Sequence, residues 1–514
     1  MLTDDVGSGG APMRIDRGLL DPTREGVVER DTHVSRVFFI GDLAHKWKKP
    51  VHFAFVDQST AERRAELCRL EVELNRRFSP DVYLGVEEIV DEGEVIDHAV
   101  VMKRMPEDRR LATLIRGGHD VTGCLARVAT IVASRHEDAT RSDEISSVAT
   151  PHGVWDLWDR NLREMSTDEM APLVSSVADG GELARIGELA RRYVDGRHRL
   201  LADRIAGGWI VDGHGDLLAD DIFCLADGPR ILDCLEFDER LRWGDVVLDI
   251  GFLAMDLEHL GRPDLARRLL DAYIAASGHP HPVSLEDHYL AYRALVRAKV
   301  SCLKGSPADR VDARSYLDLC RAHLEMGQPS LVVVGGLPGT GKSTVAAGLG
   351  ERFGWVVLRS DEVRKQLAGL EPGDHRPAGY REGLYEPAMT DRTYRAMLDA
   401  ARAHLAVGES VVIDASFADH PWREAAAVVA RESAARLIHF RCVLRSDEAE
   451  RRLRARAARA TDPSDADAMI ASRMSEDFAS WPEAITVDTD QPIDRVIDAL
   501  CRRDRSTGRW VIRP

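Results

Sequence analysis

The sequence lacks the features of a membrane-spanning or secreted protein. No apolar run approaches the roughly 18 residues that a membrane-spanning helix needs. The first ten residues, MLTDDVGSGG, contain neither the basic nor the apolar region of a signal peptide. We therefore expect a cytoplasmic protein that does not act at a membrane.

Paired cysteines and an excess of positive charge are also missing. The eight cysteines include no C-x-x-C pair, so neither a zinc site nor a disulfide framework is indicated, and we expect buried, inert thiols. The formal net charge of −17 disfavours binding to nucleic acid, because contacts to phosphates dominate such binding. A chain of 514 residues exceeds what one core usually supports, which predicts two or three domains.

One stretch carries a complete phosphate-binding pattern. Residues 330–349, SLVVVGGLPGTGKSTVAAGL, indicate a buried strand, a glycine-rich turn and the start of a helix. The turn fits G-x-x-x-x-G-K-[ST], in which backbone N–H groups surround phosphates, the lysine reaches the β and γ phosphates and the hydroxyl holds Mg²⁺. The sequence thus predicts ATP and Mg²⁺ at this loop. The predicted binding residues are Gly336, Pro338, Gly339, Thr340, Gly341, Lys342, Ser343 and Thr344.

Two acidic residues follow predicted strands downstream. Asp361 ends the strand VVLRSD, in the crevice where parallel sheets bind ligands, and there it would accept the proton of a substrate hydroxyl. Arg364 lies three residues further along and would hold a substrate group or the migrating phosphoryl. Alternatively, Asp361 caps the helix and Arg364 is its surface partner. Asp414 ends the strand SVVID and would orient Mg²⁺; no Glu follows it, which favours transfer to a hydroxyl over hydrolysis.

An arginine-rich stretch follows the last of these strands. Residues 451–459, RRLRARAAR, would form a lid whose arginines, Arg454 and Arg456 among them, close over the phosphates. A solvated basic helix is an equally good interpretation for any single arginine.

The first half of the chain carries a second set of candidate residues. Asp216 follows His214 and Gly215 in a loop, Asp221 comes five residues later, and Asp233 comes 12 residues after that. The spacing is close to that of protein kinase-like catalytic loops, where one Asp accepts the hydroxyl proton and two further side chains hold Mg²⁺. Glu236 would share the metal with them or take over that role.

The phosphates of this second site need a lysine. Lys46 lies on a predicted strand and would pair with the α and β phosphates, and Glu71 on the following helix would pair with Lys46. Lys48 points the same way, because alternate strand residues share a face, so the lysine assignment stays open by two residues.

Both halves resemble known kinases. GLPGTGKST, LRSDEVRKQL, VVIDASF and the arginines before DPSDAD resemble the small-molecule and polynucleotide kinase branch of the P-loop fold, which includes gluconate kinase-like and zeta-toxin-like proteins. That resemblance covers about residues 329–500 and implies ATP and Mg²⁺ as co-substrates, Asp361 as general base and Arg364 as a substrate or phosphate contact. Residues 30–325 resemble the aminoglycoside phosphotransferase family, and this pairing of domains resembles a bacterial two-domain family. The aminoglycoside phosphotransferase family usually has Asn where this chain has Asp221, and often His or a polar residue where it has Leu218.

These patterns predict a two-domain protein of mixed α/β and α+β class. Residues 1–30 would be a loose lead-in, residues 31–328 a bilobal kinase-like domain, and residues 329–514 a parallel sheet with helices on both faces. The predicted function is an ATP- and Mg²⁺-dependent phosphotransferase with two kinase domains acting on hydroxyls of sugars, amino sugars or aminoglycoside-like molecules. The alternatives are an ATP-binding regulatory or stress protein with a degenerate sensor domain, and, least favoured by charge, a polynucleotide end-kinase.

Overall fold

The computed structural model describes residues 12–32, 34–53, 56–371, 374, 382–459, 468–503, 507 and 510–512. The chain forms two compact units, one of residues 1–148 and 208–280, the other of residues 149–207 and 281–514. The chain therefore passes between the units three times. The domain boundary near residue 328 stays a prediction, and the helices just before it belong to the second unit.

The first unit is built on a six-stranded sheet in the order β1-β7-β8-β4-β3-β2. With elements numbered along the whole chain, its strands are β1 (Met13–Asp16), β2 (Val27–Asp31), β3 (Ser35–Ile40), β4 (Leu43–Lys48), β5 (His52–Phe53), β6 (Val56–Asp57), β7 (Tyr83–Asp91), β8 (Glu94–Lys103), β9 (Ile210–Asp212), β10 (Ile222–Cys224), β11 (Pro229–Ile231) and β12 (Trp243–Asp245). Its helices are α1 (Ala61–Arg76), α2 (Leu111–Arg116), α3 (Thr122–Asp138), α4 (Asp143–Ser147), α9 (Val246–His259) and α10 (Pro263–Ser277). This sheet with α1, followed by helices and the short strands β9–β12, is the predicted kinase-like fold.

The prediction of a loose lead-in is wrong for residues 12–30. β1 pairs in parallel with β7, and β2 pairs antiparallel with β3. Ile15 and Leu20 are buried in a cluster with Phe38 and Ile89. The burial falls on isolated positions of short polar segments, so the sequence shows no alternating pattern there. Residues 1–11 lie outside the described residues.

The second unit contains the predicted parallel sheet, in the order β14-β15-β13-β16-β17. Its strands are β13 (Ser330–Gly335), β14 (Val356–Arg359), β15 (Val411–Asp414), β16 (Arg436–Val443), β17 (Ile485–Asp488), β18 (Cys501–Arg503) and β19 (Trp510–Ile512). Its helices are α5 (Pro151–Met165), α6 (Ala171–Ser175), α7 (Glu182–Gly196), α8 (His198–Ala206), α11 (Val283–Lys304), α12 (Pro307–Met326), α13 (Lys342–Phe353), α14 (Ser360–Leu367), α15 (Pro387–Ala406), α16 (His420–Glu432), α17 (Ser446–Arg459), α18 (Ala468–Asp477) and α19 (Ile493–Leu500). One core cluster joins the sheet to α15 and α16 and another joins it to α13 and α19, so the prediction of helices on both faces is confirmed.

Helices from before residue 328 pack directly on this sheet domain. At the end of α7, the buried Arg197 donates hydrogen bonds to the carbonyl oxygens of Leu405 and Ser433, which lie at the ends of α15 and α16. A Cβ on Gly196 would lie 2.6 Å from the carbonyl oxygen of Ser433, so a larger residue would force the helices apart. The longest described helix, α11, has 22 residues and carries several charges, and no helix in the described part of the chain is long and apolar enough to cross a membrane.

One pair of cysteines corrects the prediction of inert thiols. Cys124 on α3 and Cys224 on β10 form a disulfide within the first unit, with their Cα atoms 5.9 Å apart. The other six cysteines are free and buried, as expected. The disulfide joins residues 100 positions apart, so no local spacing could have indicated it.

Candidate functional sites

The phosphate loop, residues 336–343, connects the fully buried β13 to α13. Gly336, Gly339 and Gly341 have φ values of +136°, +82° and +82°, which residues with a side chain rarely adopt. A Cβ on Gly336 would also lie 2.5 Å from the carbonyl oxygen of Cys442. Glycine is therefore required here by both backbone conformation and space, and the loop can present its N–H groups to a phosphate.

Three predicted side chains meet beside this loop. Asp414, at the end of β15, is 5% exposed and accepts a hydrogen bond from the Ser343 hydroxyl. Burial raises the pKa of Asp414, while the nearby Lys342 opposes the rise. The Lys342 ammonium donates to the Leu337 carbonyl oxygen at 3.0 Å, so it lies folded over the loop.

The donor atoms beside the loop suit Mg²⁺. This ion prefers oxygen ligands and keeps several waters and substrate phosphates, so the Ser343 hydroxyl and the Asp414 carboxylate are a sufficient protein contribution. Among the described residues, no cluster of three or more His, Cys, Asp and Glu side chains is arranged as a metal cage. The residues therefore fit an ion that binds together with a nucleotide.

Asp361 lies in the first turn of α14, after Arg359 as N-cap, and not at the end of the strand. The alternative interpretation of Asp361 as the cap is therefore wrong. Its carboxylate is 2.8 Å from Arg364, which is 7% exposed and lies 4.7 Å above the Tyr385 ring, so Arg364 is not a surface residue. Asp361 also contributes to the raised pKa of Asp414, so the two carboxylates share one site.

The lid arginines differ in whether they lie over the phosphate loop. Arg454 pairs with Glu450 at 2.5 Å and its side chain is 76% exposed; the side chain of Arg456 lies outside the described residues. Arg452, in the same arginine-rich stretch, lies over the loop: a Cβ on Gly341 would be 3.5 Å from its Nη1, while its Nε donates to Glu448 at 3.2 Å. Its Nη2 donates to the Thr489 carbonyl oxygen at 3.0 Å. The dense arginine run gave no signal for which residue would face the loop.

In the first unit, Lys46 is the lysine within reach of a ligand. Its Nζ lies 2.8 Å from Glu71, the partner that the sequence predicts, and 2.7 Å from Asp233. The Lys46 side chain is 15% exposed, whereas that of Lys48 is 1% exposed behind Glu71. The geometry favours Lys46 for the phosphates.

The loop that carries Asp216 is held by Asp249. Asp249 accepts hydrogen bonds from the backbone N–H groups of His214 and Gly215, each at 2.8 Å, and from His136 at 2.9 Å. Burial alone would raise the pKa of Asp249, but these hydrogen bonds hold the pKa well below its ordinary value. Asp245 caps α9 by accepting a hydrogen bond from the N–H of Val247.

The three predicted acids of this unit form one electrostatic cluster. Burial, Asp233 and Asp216 all raise the pKa of Asp221, in that order. Carboxylates that repel one another in this way suit a divalent cation, which would relieve the repulsion. Leu218 is buried, and its carbonyl oxygen accepts a hydrogen bond from the Asp221 N–H, so this position stabilises the turn.

Arg110 is a further member of this site that the sequence analysis missed. It counteracts the raised pKa of Asp221, and its guanidinium lies 4.7 Å above the Phe223 ring and donates to the Asp220 carbonyl oxygen. The negative charge that Asp221 adds in place of Asn is thus partly compensated by Arg110. The two residues are far apart in sequence, which left no pattern to find.

These geometries define a protein with two phosphate-site candidates, one on a kinase-like unit and one on a P-loop sheet. Residues 331–480 match the family model described as "AAA domain". The uncharacterized protein Rv2004c of Mycobacterium tuberculosis is 39% identical over 472 residues, covering 91% of this chain and 93% of that protein. The chain belongs to the same family as this mycobacterial protein.

Solved structures resemble each part of the chain. Aminoglycoside 2'-phosphotransferase-IIIa in a GDP complex is 13% identical, with 60% of this chain and 95% of that chain covered and a TM-score of 0.37. A gluconokinase from Sinorhizobium meliloti is 17% identical, with 35% of this chain and 90% of that chain covered and a TM-score of 0.24.

Proposed function

We propose that the protein is an ATP- and Mg²⁺-dependent phosphotransferase that moves the γ-phosphoryl of ATP to a hydroxyl of a small molecule. The observation that carries the proposal is the meeting of Lys342, Ser343 and Asp414 at the phosphate loop, with Asp361 beside them. A phosphate-binding loop with a second carboxylate in reach is what transfer to a hydroxyl needs.

The residues of the P-loop site would divide the work of in-line transfer. Loop N–H groups and Lys342 would hold the phosphates, and Ser343 and Asp414 would hold Mg²⁺, which would neutralise charge on the β and γ phosphates. Asp361 would take the proton of the acceptor hydroxyl. Arg364 fixes the Asp361 carboxylate at 2.8 Å and would contact the acceptor or the transferred group.

The first unit would carry a second transfer site. Asp216 would take the acceptor proton, Asp221 and Asp233 would hold Mg²⁺, and Lys46, held by Glu71, would bind the phosphates. The acceptor class we propose is a sugar, amino sugar or aminoglycoside-like molecule, with a cytoplasmic location and no membrane or nucleic-acid partner. A regulatory protein with a sensing first unit is the second candidate, which the acid at Asp221 favours.

The test is acceptor-dependent ATP consumption by the intact chain. The panel contains sugars, amino sugars, aminoglycosides and a 5′-hydroxyl oligonucleotide, each with the wild type and with the Lys342→Ala and Asp216→Asn variants. Turnover lost in one variant with one acceptor assigns that acceptor to one site. ATP consumption that no acceptor stimulates would contradict the proposal and support the regulatory candidate, and stimulation by the oligonucleotide alone would indicate an end-kinase.

A further inference from the structure

The first-unit site contains more buried charges than the proposed chemistry uses. Asp233, Lys46, Glu71, Lys48 and Glu236 form a continuous chain of ion pairs. Lys48 lies 2.5 Å from the second oxygen of Glu71 and also contacts Glu236. The proposed transfer reaction uses Asp233, Lys46 and Glu71, and it gives no role to Lys48. Glu236, for which the sequence predicts a metal role, is buried against Lys48.

One end of this chain is exposed and the rest is buried. The side chain of Asp233 is 45% exposed and that of Lys46 is 15% exposed, so a nucleotide can reach both. Glu71, Lys48 and Glu236 are 0%, 1% and 8% exposed. Lys48 and Glu236 therefore cannot contact a nucleotide directly, and any effect that they have on the reaction must act through other residues.

We infer, on the basis of the proposed function, that Lys48 and Glu236 are positioning residues of the first-unit site. They hold Glu71 and the segment of Asp233 in place while Lys46 exchanges the Asp233 carboxylate for the nucleotide phosphates.

Lys48 keeps Glu71 paired when Lys46 leaves it. When Lys46 turns to the phosphates, Glu71 loses one of its two lysine partners. Glu71 is fully buried, and an unpaired carboxylate is strongly disfavoured there. Lys48 remains on the other oxygen of Glu71. The glutamate therefore stays ionised and oriented, with its first oxygen still directed at Lys46.

The contact between Lys48 and Glu236 also restrains the backbone that carries Asp233. Asp233 has a φ of +64°, a conformation that a residue with a side chain keeps only when its surroundings enforce it. Asn75 enforces it at the next residue, since its Oδ1 accepts from the Cys234 N–H at 2.8 Å. The contact between Glu236 and Lys48 fixes the same segment three residues beyond Asp233. The orientation of the Asp233 carboxylate thus depends on Lys48.

The experiment measures ADP binding by calorimetry, with Mg²⁺ and with EDTA, in a full-length Lys342→Ala background that weakens the P-loop site. The ratio of the two affinities is the Mg²⁺-dependent gain. Glu236→Gln and Lys48→Met are each added to this background. We expect each to lower the gain by about 10- to 100-fold, the usual effect of removing a residue that orients a metal ligand, with little change in EDTA. The Mg²⁺-dependent gain of the double variant should be no lower than that of the more affected single variant, because the two residues act as one unit.

Lys49→Met is the matched control, because this neighbouring lysine pairs with Asp31 at the surface and should leave the gain unchanged. Glu236→Gln keeps Lys48 on Glu71, so it tests the inference if Lys48→Met does not fold. An unchanged gain in a folded Glu236→Gln protein would overturn the inference alone. A background protein that binds no ADP would instead refute the proposed first-unit function, and the inference with it.

Discussion

The Asp361 carboxylate is the group on which transfer at the P-loop site depends. Asp361→Asn keeps the size of the side chain but cannot accept a proton, so we expect a loss of acceptor-dependent turnover of about 10²- to 10⁴-fold. Affinity for an Mg²⁺–ATP analogue should stay near the wild-type value, as measured by calorimetry. Glu424→Gln, at an exposed carboxylate that lies 3.4 Å from Arg431, is the control and should keep full turnover. Equal loss of nucleotide binding in Asp361→Asn would show a structural role.

A buried histidine of the second unit should make stability depend on pH. Burial lowers the pKa of His288 from 6.5 to about 3; Trp158 donates to its Nε2 at 3.1 Å and its Nδ1 has no partner among the described residues. Below pH 6.5 the unfolded chain binds a proton that the folded protein excludes, so the free energy of unfolding falls as pH falls. We expect a slope of about 1.4 kcal/mol per pH unit from this group.

The variant that tests this is His288→Phe. It should lower the free energy of unfolding near pH 7 by about 1–3 kcal/mol, because the Trp158 N–H loses its acceptor. It should also lower, by about one, the number of protons that the chain takes up on unfolding between about pH 5 and pH 6. Denaturant titration at several pH values measures this number through the slope of the free energy of unfolding. His152→Phe, at a side chain that is 85% exposed, is the control. The same pH slope in His288→Phe and wild type would contradict the assignment.

Some residues of the two sites could be predicted from the sequence, and others could not. Lys342, Ser343 and Gly341 are specified by a continuous motif, and Lys46 with Glu71 by the spacing of one strand and the next helix. The contacts of Arg110 with Asp221 and of Lys48 with Glu236 join distant segments. Such pairs depend on how β4, α2 and β10 pack, which no local pattern encodes.

At the scale of elements, one arginine joins three helices. Arg197 is fully buried and donates to carbonyl oxygens at the ends of α15 and α16, where helix dipoles add negative charge. Burial lowers its pKa to about 10, so it remains charged at neutral pH. Arg197→Met would leave both carbonyl oxygens without this donor, and we expect a loss of about 2–4 kcal/mol in the free energy of unfolding.

Denaturant titration with a matched surface variant tests the role of Arg197. Arg199→Met removes an arginine that is 64% exposed and lies 3.6 Å from Asp203, and it should change the free energy of unfolding by at most about 0.5 kcal/mol. Similar stabilities for the two variants would show that the Arg197 contacts add little.

Element prediction succeeded where apolar periodicity is long and failed where elements are short. β13, β15 and β16 are apolar runs between helices, and α1 begins after Thr60, whose side chain accepts a hydrogen bond from the N–H of Arg63. β1 and β2 have four and five residues, mostly exposed, and their pairing with β7 and β3 stabilises them. Short strands that are stabilised mainly by pairing with neighbouring strands show little sequence pattern of their own.

At the scale of the whole molecule, the order of the chain differs from the division into units. Residues 149–207 belong to the second unit although residues on both sides of them belong to the first. The sequence Gly327-Gln328-Pro329, at the predicted boundary near residue 328, marks the end of α12. Sequence breaks report where helices end, whereas units are defined by packing between distant segments.

The disulfide between Cys124 and Cys224 encloses all of residues 149–207. A single backbone cut in that stretch, for example at a protease site inserted at the exposed Gly180, should yield fragments that separate on a gel only after reduction. Cys124→Ser should release them without reductant, and separation of the disulfide-intact protein would disprove the bond. With the disulfide formed, residues 124–224 are therefore a closed covalent ring, with a segment of chain on either side of it. The ring contains residues of both units.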